Sequence, residues 1–204
     1  MSLEEDLYQS WLNQLQIWAA DGRLFAAGVD ALRLKPGNAR NQLHRIGNRL
    51  AKGDTRDLPP IEVMPSSAMA GAMGAYASAT STIYLNRNWL KKASTAAVQA
   101  VLTEEFGHHL DQLLSEKDTQ GDEGQIFANA LVEPRVHSQQ KNNPTGNKND
   151  HIKIFVNGNW IVAEAAIWSG TNGHDDYTGT EDNDSIYGGN VHMIEFFFTD
   201  SSVL

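Results

Sequence analysis

The chain has 204 residues, 41% of them hydrophobic and 20% charged, with a formal net charge of −9 at pH 7 and no cysteine. Length and composition suit a globular chain with one well-buried core, with or without a small appendage. The acidic balance argues against nucleic acid or an anionic membrane surface as partner, and the missing cysteines exclude disulfides and thiolate zinc sites.

Residues 1–30 show no basic start followed by an apolar run and a cleavage site, so no ordinary signal peptide is expected. No apolar run approaches the roughly 18 residues of a membrane-spanning helix. Leu7, Trp11, Leu12, Leu15 and Trp18 recur at helical spacing and predict an amphipathic helix over 3–20, ended by Asp21-Gly22. Residues 24–32 and 40–50 read as two further helices separated by Pro36-Gly37. Residues 53–60 read as a linker closing on Pro59-Pro60, followed by a short strand over 61–64. Residues 74–77 and 81–85 read as the strands of a hairpin, and Trp89-Leu90 opens a helical turn.

Ser94 or Thr95 caps a helix running from Ala96 to about Leu114. Gln125 to Leu131 predicts another helix after the turn Asp118 to Gly124. Residues 138–150 are polar and rich in Asn and Lys, and read as a loop. Ile152 to Val156, Asn157-Gly158 and Trp160 to Val162 give a hairpin with a type I′ turn. Beyond Ser169 the composition turns to Gly, Asp, Asn and Thr.

The helix over 96–114 carries the chemistry. Glu104-Glu105-Phe106-Gly107-His108-His109-Leu110-Asp111 holds five ionisable side chains in eight residues. At about 100° per residue, Glu104, His108 and Asp111 fall within about 60° of one helix face. Val98, Leu102, Phe106, Leu110 and Leu113 centre on the other face, which is expected to pack while the acidic stripe faces out. His109 falls on the apolar side, where a structural role is expected.

The stretch differs from the zinc-hydrolase signature His-Glu-x-x-His by Glu104 in place of the first His. Mapped onto that chemistry, Glu104 and His108 are metal ligands and Glu105 is the catalytic base. The third ligand is Asp111 or Glu123. One imidazole among carboxylates is less zinc-selective than two, so calcium, magnesium or manganese competes with zinc. The bland alternative is a solvated helix face.

Taken together, several segments resemble a family of bacterial proteins with a zincin-like, metallopeptidase-type domain followed by haemolysin-type (RTX) calcium-binding repeats. They are Leu58-Pro59-Pro60-Ile61-Glu62, Gly74-Ala75-Tyr76-Ala77, Thr82-Ile83-Tyr84-Leu85-Asn86, Glu104-Glu105-Phe106-Gly107-His108, Asp118 with Gly121-Asp122-Glu123-Gly124, and Asp150-His151-Ile152. The resemblance covers roughly residues 3–190 and implies an α+β fold with a small sheet packed on the motif helix. It implies a Thr82–Leu85 strand that edges the cleft and holds an extended peptide substrate, and a turn that brings Glu123 back toward His108. Peptidase activity follows only by analogy of fold.

Gly170, Gly179 and Gly188 stand nine residues apart, and Asp175 and Asp184 occupy the sixth position of RTX-like nonapeptides. Gly170, Gly173 and Gly179 would shape the turns, and Asp175 and Asp184 would offer hard oxygens to calcium. The positions two repeats on are Met193 and Ser202, so an ordinary site stays incomplete and calcium binding is expected to be weak, with residues 170–190 disordered without it. The divergent end around Phe196-Phe197-Phe198 reads as a truncation, or, with Asp200 and Val203-Leu204, as a type I export signal.

The expected organisation is a helical region (1–58), a zincin-like metal-site domain (59–136), a loop and hairpin (137–168), degenerate repeats (169–190) and a divergent tail (191–204). The functional expectation is a secreted calcium-binding protein with a metal-dependent, peptidase-like hydrolase domain. The alternatives are a non-catalytic extracellular binding or adhesion module on the same scaffold, and a cytoplasmic location if the tail is truncated.

Overall fold

The structure is a computed structural model and describes residues 3–115, 123–132, 151–166, 175–177 and 194–196. Three helices open the chain: α1 (Leu3–Ala20), α2 (Arg23–Ala31) and α3 (Asn38–Leu50). Each buries the stripe its periodicity dictates. On α1 these are Leu7, Trp11, Leu12, Leu15 and Trp18, with Trp11 and Leu15 fully shielded. Gly22, at φ 85°, supplies the left-handed residue that turns the chain from α1 into α2.

Strands β1 (Ile61–Met64), β2 (Gly74–Ala77) and β3 (Thr82–Asn86) are followed by the single-turn α4 (Arg87–Leu90), α5 (Thr95–Leu114) and α6 (Glu123–Leu131). The Asn86 side chain accepts from the N–H groups of Asn88 and Trp89 and so starts α4. Ser94 does the same for α5 through the Ala97 N–H. The hairpin β4 (His151–Val156) and β5 (Asn159–Ala166) turns through Asn157 and Gly158, both at positive φ (49° and 82°). That is the backbone a two-residue type I′ turn needs.

The five strands form one sheet in the order β1-β3-β2-β5-β4. β1 runs parallel to β3; the other neighbours are antiparallel, with Gly74↔Ala166 and Tyr76↔Glu164 joining β2 to β5. β3 therefore lies inside the sheet, and the expected peptide-holding edge over Thr82–Leu85 is not an edge. The parallel β1 covers it, and β1 and β4 are the outer strands.

One sheet face carries the helices. Trp11, Leu15, Leu24, Leu43, Ile46, Phe106, Leu110, Phe127, Tyr76, Ile83 and Ala166 belong to one continuous core. The helical opening and the motif-bearing segment therefore share their hydrophobic interior. The other face packs Ala75, Ala77, Tyr84, Ile154, Val156, Ala163 and Ala165 under Met69 and Ala72. The segment expected as a linker is tied down at Asp57. Its carboxylate meets Arg49 at 2.5 Å, and its carbonyl meets His109 Nε2 at 3.0 Å.

In the tail, β6 (Asp175–Tyr177) and β7 (Ile194–Phe196) pair in parallel with Asp175 opposite Ile194. Gly170, Gly173, Gly179 and Asp184, named above for calcium, lie outside the described residues, as do most of residues 170–190.

Candidate metal centre

α5 does not have one dry face and one wet face. Every residue from Ala100 to Asp111 is buried, because α1, α3, α6 and the sheet surround the helix. The acidic stripe expected to face out is inside: Glu104 is 5% exposed, Glu105 0%, His108 1% and Asp111 5%. That burial rules out the solvated-face reading. Leu113, expected to pack, is 41% exposed.

α6 makes the closure possible. It crosses α5 where Gly107 meets Gly124. A Cβ on Gly107 would stand 2.7 Å from the Gly124 Cα, and a Cβ on Gly124 would stand 2.6 Å from the Glu104 carbonyl oxygen and collide with the His108 ring. The space beside Gly107 is thus filled by the backbone of α6. The crossing puts Glu123, at the first position of α6, into the same buried space at 2% exposure.

His108 forms an ion pair through Nδ1 with Glu164 of β5. Burial works against a charged ring here, but the hydrogen bond to Glu164 and the fields of Glu105, Glu164 and Glu104 outweigh it. His108 is held protonated well above the ordinary histidine range. The reciprocal effect lowers Glu164, against the upward push of its own burial. Glu123 is pushed up to about 8, first by burial and then by Asp111 and Glu164.

Among the buried polar atoms at this centre, His108 Nε2 and Glu123 Oε2 have no hydrogen-bond partner among the described residues. Glu105 Oε1 accepts from the Ala166 N–H at 2.9 Å, holding the end of β5 to α5. Asp111 Oδ1 accepts from Ser115 Oγ at 2.5 Å.

The structure therefore brings Glu104, Glu105, His108, Asp111 and Glu123 into one buried cluster and adds Glu164. The spacing of α5 could not reveal Glu164, which comes from a strand far along the chain. The available signal was a lone carboxylate in the apolar run Ile161-Val162-Ala163-Glu164-Ala165-Ala166, a buried charge that needs a partner.

His109, as expected, is structural. It is buried between Phe106 and Tyr76, with Nδ1 at 2.9 Å from the Tyr76 hydroxyl, and burial lowers its pKa.

The donor chemistry is one imidazole and several carboxylates, which suits zinc, manganese or calcium. As the side chains stand, no group of three His, Asp or Glu among the described residues is arranged around one point as a ready ligand set. His108 Nδ1 is instead closed by the proton it shares with Glu164.

No family model, curated protein or solved structure matches this chain. The class that fold and site define rests on geometry alone: an α+β protein with a buried carboxylate–imidazole centre between two helices and a sheet. Among the described residues no helix is long and apolar enough to cross a membrane.

Proposed function

We propose that this chain is a divalent-metal protein of the zincin-like, metallohydrolase type, with its ion held between α5, α6 and β5. One observation carries the reading: buried carboxylates gather on a single imidazole beside two buried polar atoms, His108 Nε2 and Glu123 Oε2, that lack a partner among the described residues. An ionised carboxylate costs several kcal/mol to bury. Glu104, Glu105, Asp111, Glu123 and Glu164 set as many as five negative charges against one imidazolium. Protons relieve part of this, as the upward push on Glu123 indicates, and a divalent cation would relieve it more fully.

Glu104, His108 and Glu123 are the residues we assign to the ion. Asp111 is the weaker third ligand, because its carboxylate already serves Ser115. Glu164 orients His108 through Nδ1, as the outer partner of a ligating imidazole does. A bound ion would lower the pKa of its water toward 7 and polarise a carbonyl. Glu105, one residue after the first ligand, is then the base that takes the proton from that water. The substrate class is an extended peptide or protein.

A second reading, a non-catalytic binding module, is favoured by a specific observation. Glu105 is fully buried and its Oε1 already holds the Ala166 N–H. In that case the ion only ties α5, α6 and β5 together. Hydrolysis of an unstructured protein substrate separates the two. The first reading expects activity that a chelator abolishes, that zinc or manganese restores, and that Glu105→Gln reduces at least a hundredfold with the metal retained. Activity indifferent to Glu105→Gln would leave the second reading.

For the tail we propose weak calcium binding and export by a type I route. The nine-residue register of Gly170, Gly179 and Gly188 and the parallel pairing of β6 with β7 support the calcium part of this reading.

A further inference from the structure

α3 and the turns at its two ends gather charge of one sign in a chain of the other. Residues 33–52 hold six of the 16 Lys and Arg and none of the 25 Asp and Glu, so this segment carries +6 while the whole chain carries −9. The cations are Arg33, Lys35, Arg40, Arg45, Arg49 and Lys52. Arg49 is ion-paired with Asp57, and the other five have no ion pair among the described residues. Leu43, Ile46, Gly47 and Leu50 bury the inner face of α3. On the opposite side Asn38, Asn41, Arg45, Asn48 and Lys52 follow one another at spacings of three and four, and all five are exposed. Such spacings put them on one ridge. The helix adds to its charge, since the α3 N-terminus has no side-chain cap and no acidic residue in its first turn. Arg45 and Arg49 stand at i and i+4, where like charges repel. Packing against the core accounts for the inner face. It does not account for an outer face without a carboxylate, because a merely solvated surface mixes both signs.

The chemistry of the ridge selects its partner. A carboxylate-free row of cations attracts a polyanion and steers it in. Residues 33–52 contain no Phe, Trp or Tyr on which a nucleic-acid base could stack, and the chain's −9 repels a long polyphosphate. The ridge also offers no large apolar side chain to enter a membrane surface. What it offers between its cations is the amides of Asn38, Asn41 and Asn48, which donate to carboxylates and pair with main-chain groups. At about 1.5 Å per residue, Arg45 and Lys52 stand about 10 Å apart along the axis. Carboxylates about three residues apart on an extended chain have the same separation. We propose that the outer ridge of α3 is a docking surface for an acidic segment of a partner protein, with Arg45 and Lys52 taking its carboxylates. Docking there needs no metal at the buried centre.

The test uses the full chain and a short fluorescein-labelled peptide of alternating Glu and Ser, in about 50 mM salt, where charges roughly 10 Å apart still interact. Its controls are the same peptide with Gln for Glu and a thymidine oligonucleotide of equal charge. Anisotropy titration is expected to show the Glu peptide binding at least tenfold more tightly than either control. Arg45→Glu combined with Lys52→Glu should weaken that binding at least tenfold. Lys91→Glu combined with Lys92→Glu makes the same change in net charge at exposed positions after α4, and should leave the affinity near wild type. The α3 variant is expected to melt no lower than wild type, because Arg45→Glu turns a repulsion from Arg49 into an attraction. Equal losses in the two double variants would overturn the proposal by showing adhesion through net charge alone. An α3 variant that binds like wild type would overturn it too. An oligonucleotide bound as tightly as the Glu peptide would assign the ridge to nucleic acid instead. A dimer in sedimentation velocity that only the α3 variant disperses would assign it to a second copy of the chain, against the proposal.

Discussion

Glu164 decides how the centre works at the scale of single residues. It is a carboxylate at the end of a sheet strand, 20% exposed at its side chain, and it meets an imidazole that is 1% exposed. Removing one partner of a buried pair costs about 3–5 kcal/mol, and the partial exposure of Glu164 reduces this. Glu164→Gln is therefore expected to destabilise the metal-free protein by about 2 kcal/mol in urea denaturation. Glu62→Gln, on an exposed position of β1, should be close to neutral. Equal effects would mean that the His108–Glu164 pair contributes nothing. On the structural side of the same helix, Tyr76→Phe removes the hydroxyl shared with His109 and Gln112. It should cost about 1 kcal/mol without changing metal content.

Among the elements, the α5–α6 crossing matters most. α6 can bring Glu123 to His108 only because Gly107 and Gly124 let the two backbones touch. Overpacking such a contact costs about 1–3 kcal/mol. Gly124→Ala, which drives a methyl group into the His108 ring, should lower the urea midpoint accordingly and weaken metal uptake, as measured by titration calorimetry. A variant with wild-type stability and uptake would show that the crossing is not the constraint described here. Most elements were legible in the sequence for a physical reason: helix stripes and capping residues act locally. Leu7 to Trp18 on α1, Ser94 before α5 and Asn157-Gly158 between β4 and β5 are all signals within a few residues. What was not legible is non-local. Helical spacing placed Glu104, His108 and Asp111 on one face correctly, but nothing in that spacing says the face is covered. α6 and β5 cover it, and both arrive from later in the chain. The interior position of β3 escaped the sequence for the same reason, since strand order is a tertiary property.

For the whole molecule, the continuous core joining α1, α2 and α3 to α5, α6 and the sheet has a consequence for unfolding. Trp11 is fully buried, packs edge-on against Phe106 and donates to Thr103 Oγ1 at 3.1 Å. Trp11→Ala should cost about 3–5 kcal/mol and shift the entire transition, with far-ultraviolet circular dichroism and tryptophan fluorescence remaining coincident. Two separated transitions would show that the helical opening folds on its own. In the tail, calorimetry with calcium is expected to detect only weak binding, because positions 193 and 202 offer no carboxylate; two or more micromolar sites would contradict this.

The central claim is that the buried cluster around His108 is a divalent-metal centre. It is tested most directly by elemental analysis of the purified full chain, after dialysis against each candidate ion in turn, for wild type, His108→Ala and Glu123→Gln. The account predicts about one equivalent of one divalent ion in the wild type, loss of that ion in His108→Ala and weakened retention in Glu123→Gln. A wild-type chain that retains no ion, or a His108→Ala variant that retains as much as the wild type, would contradict it.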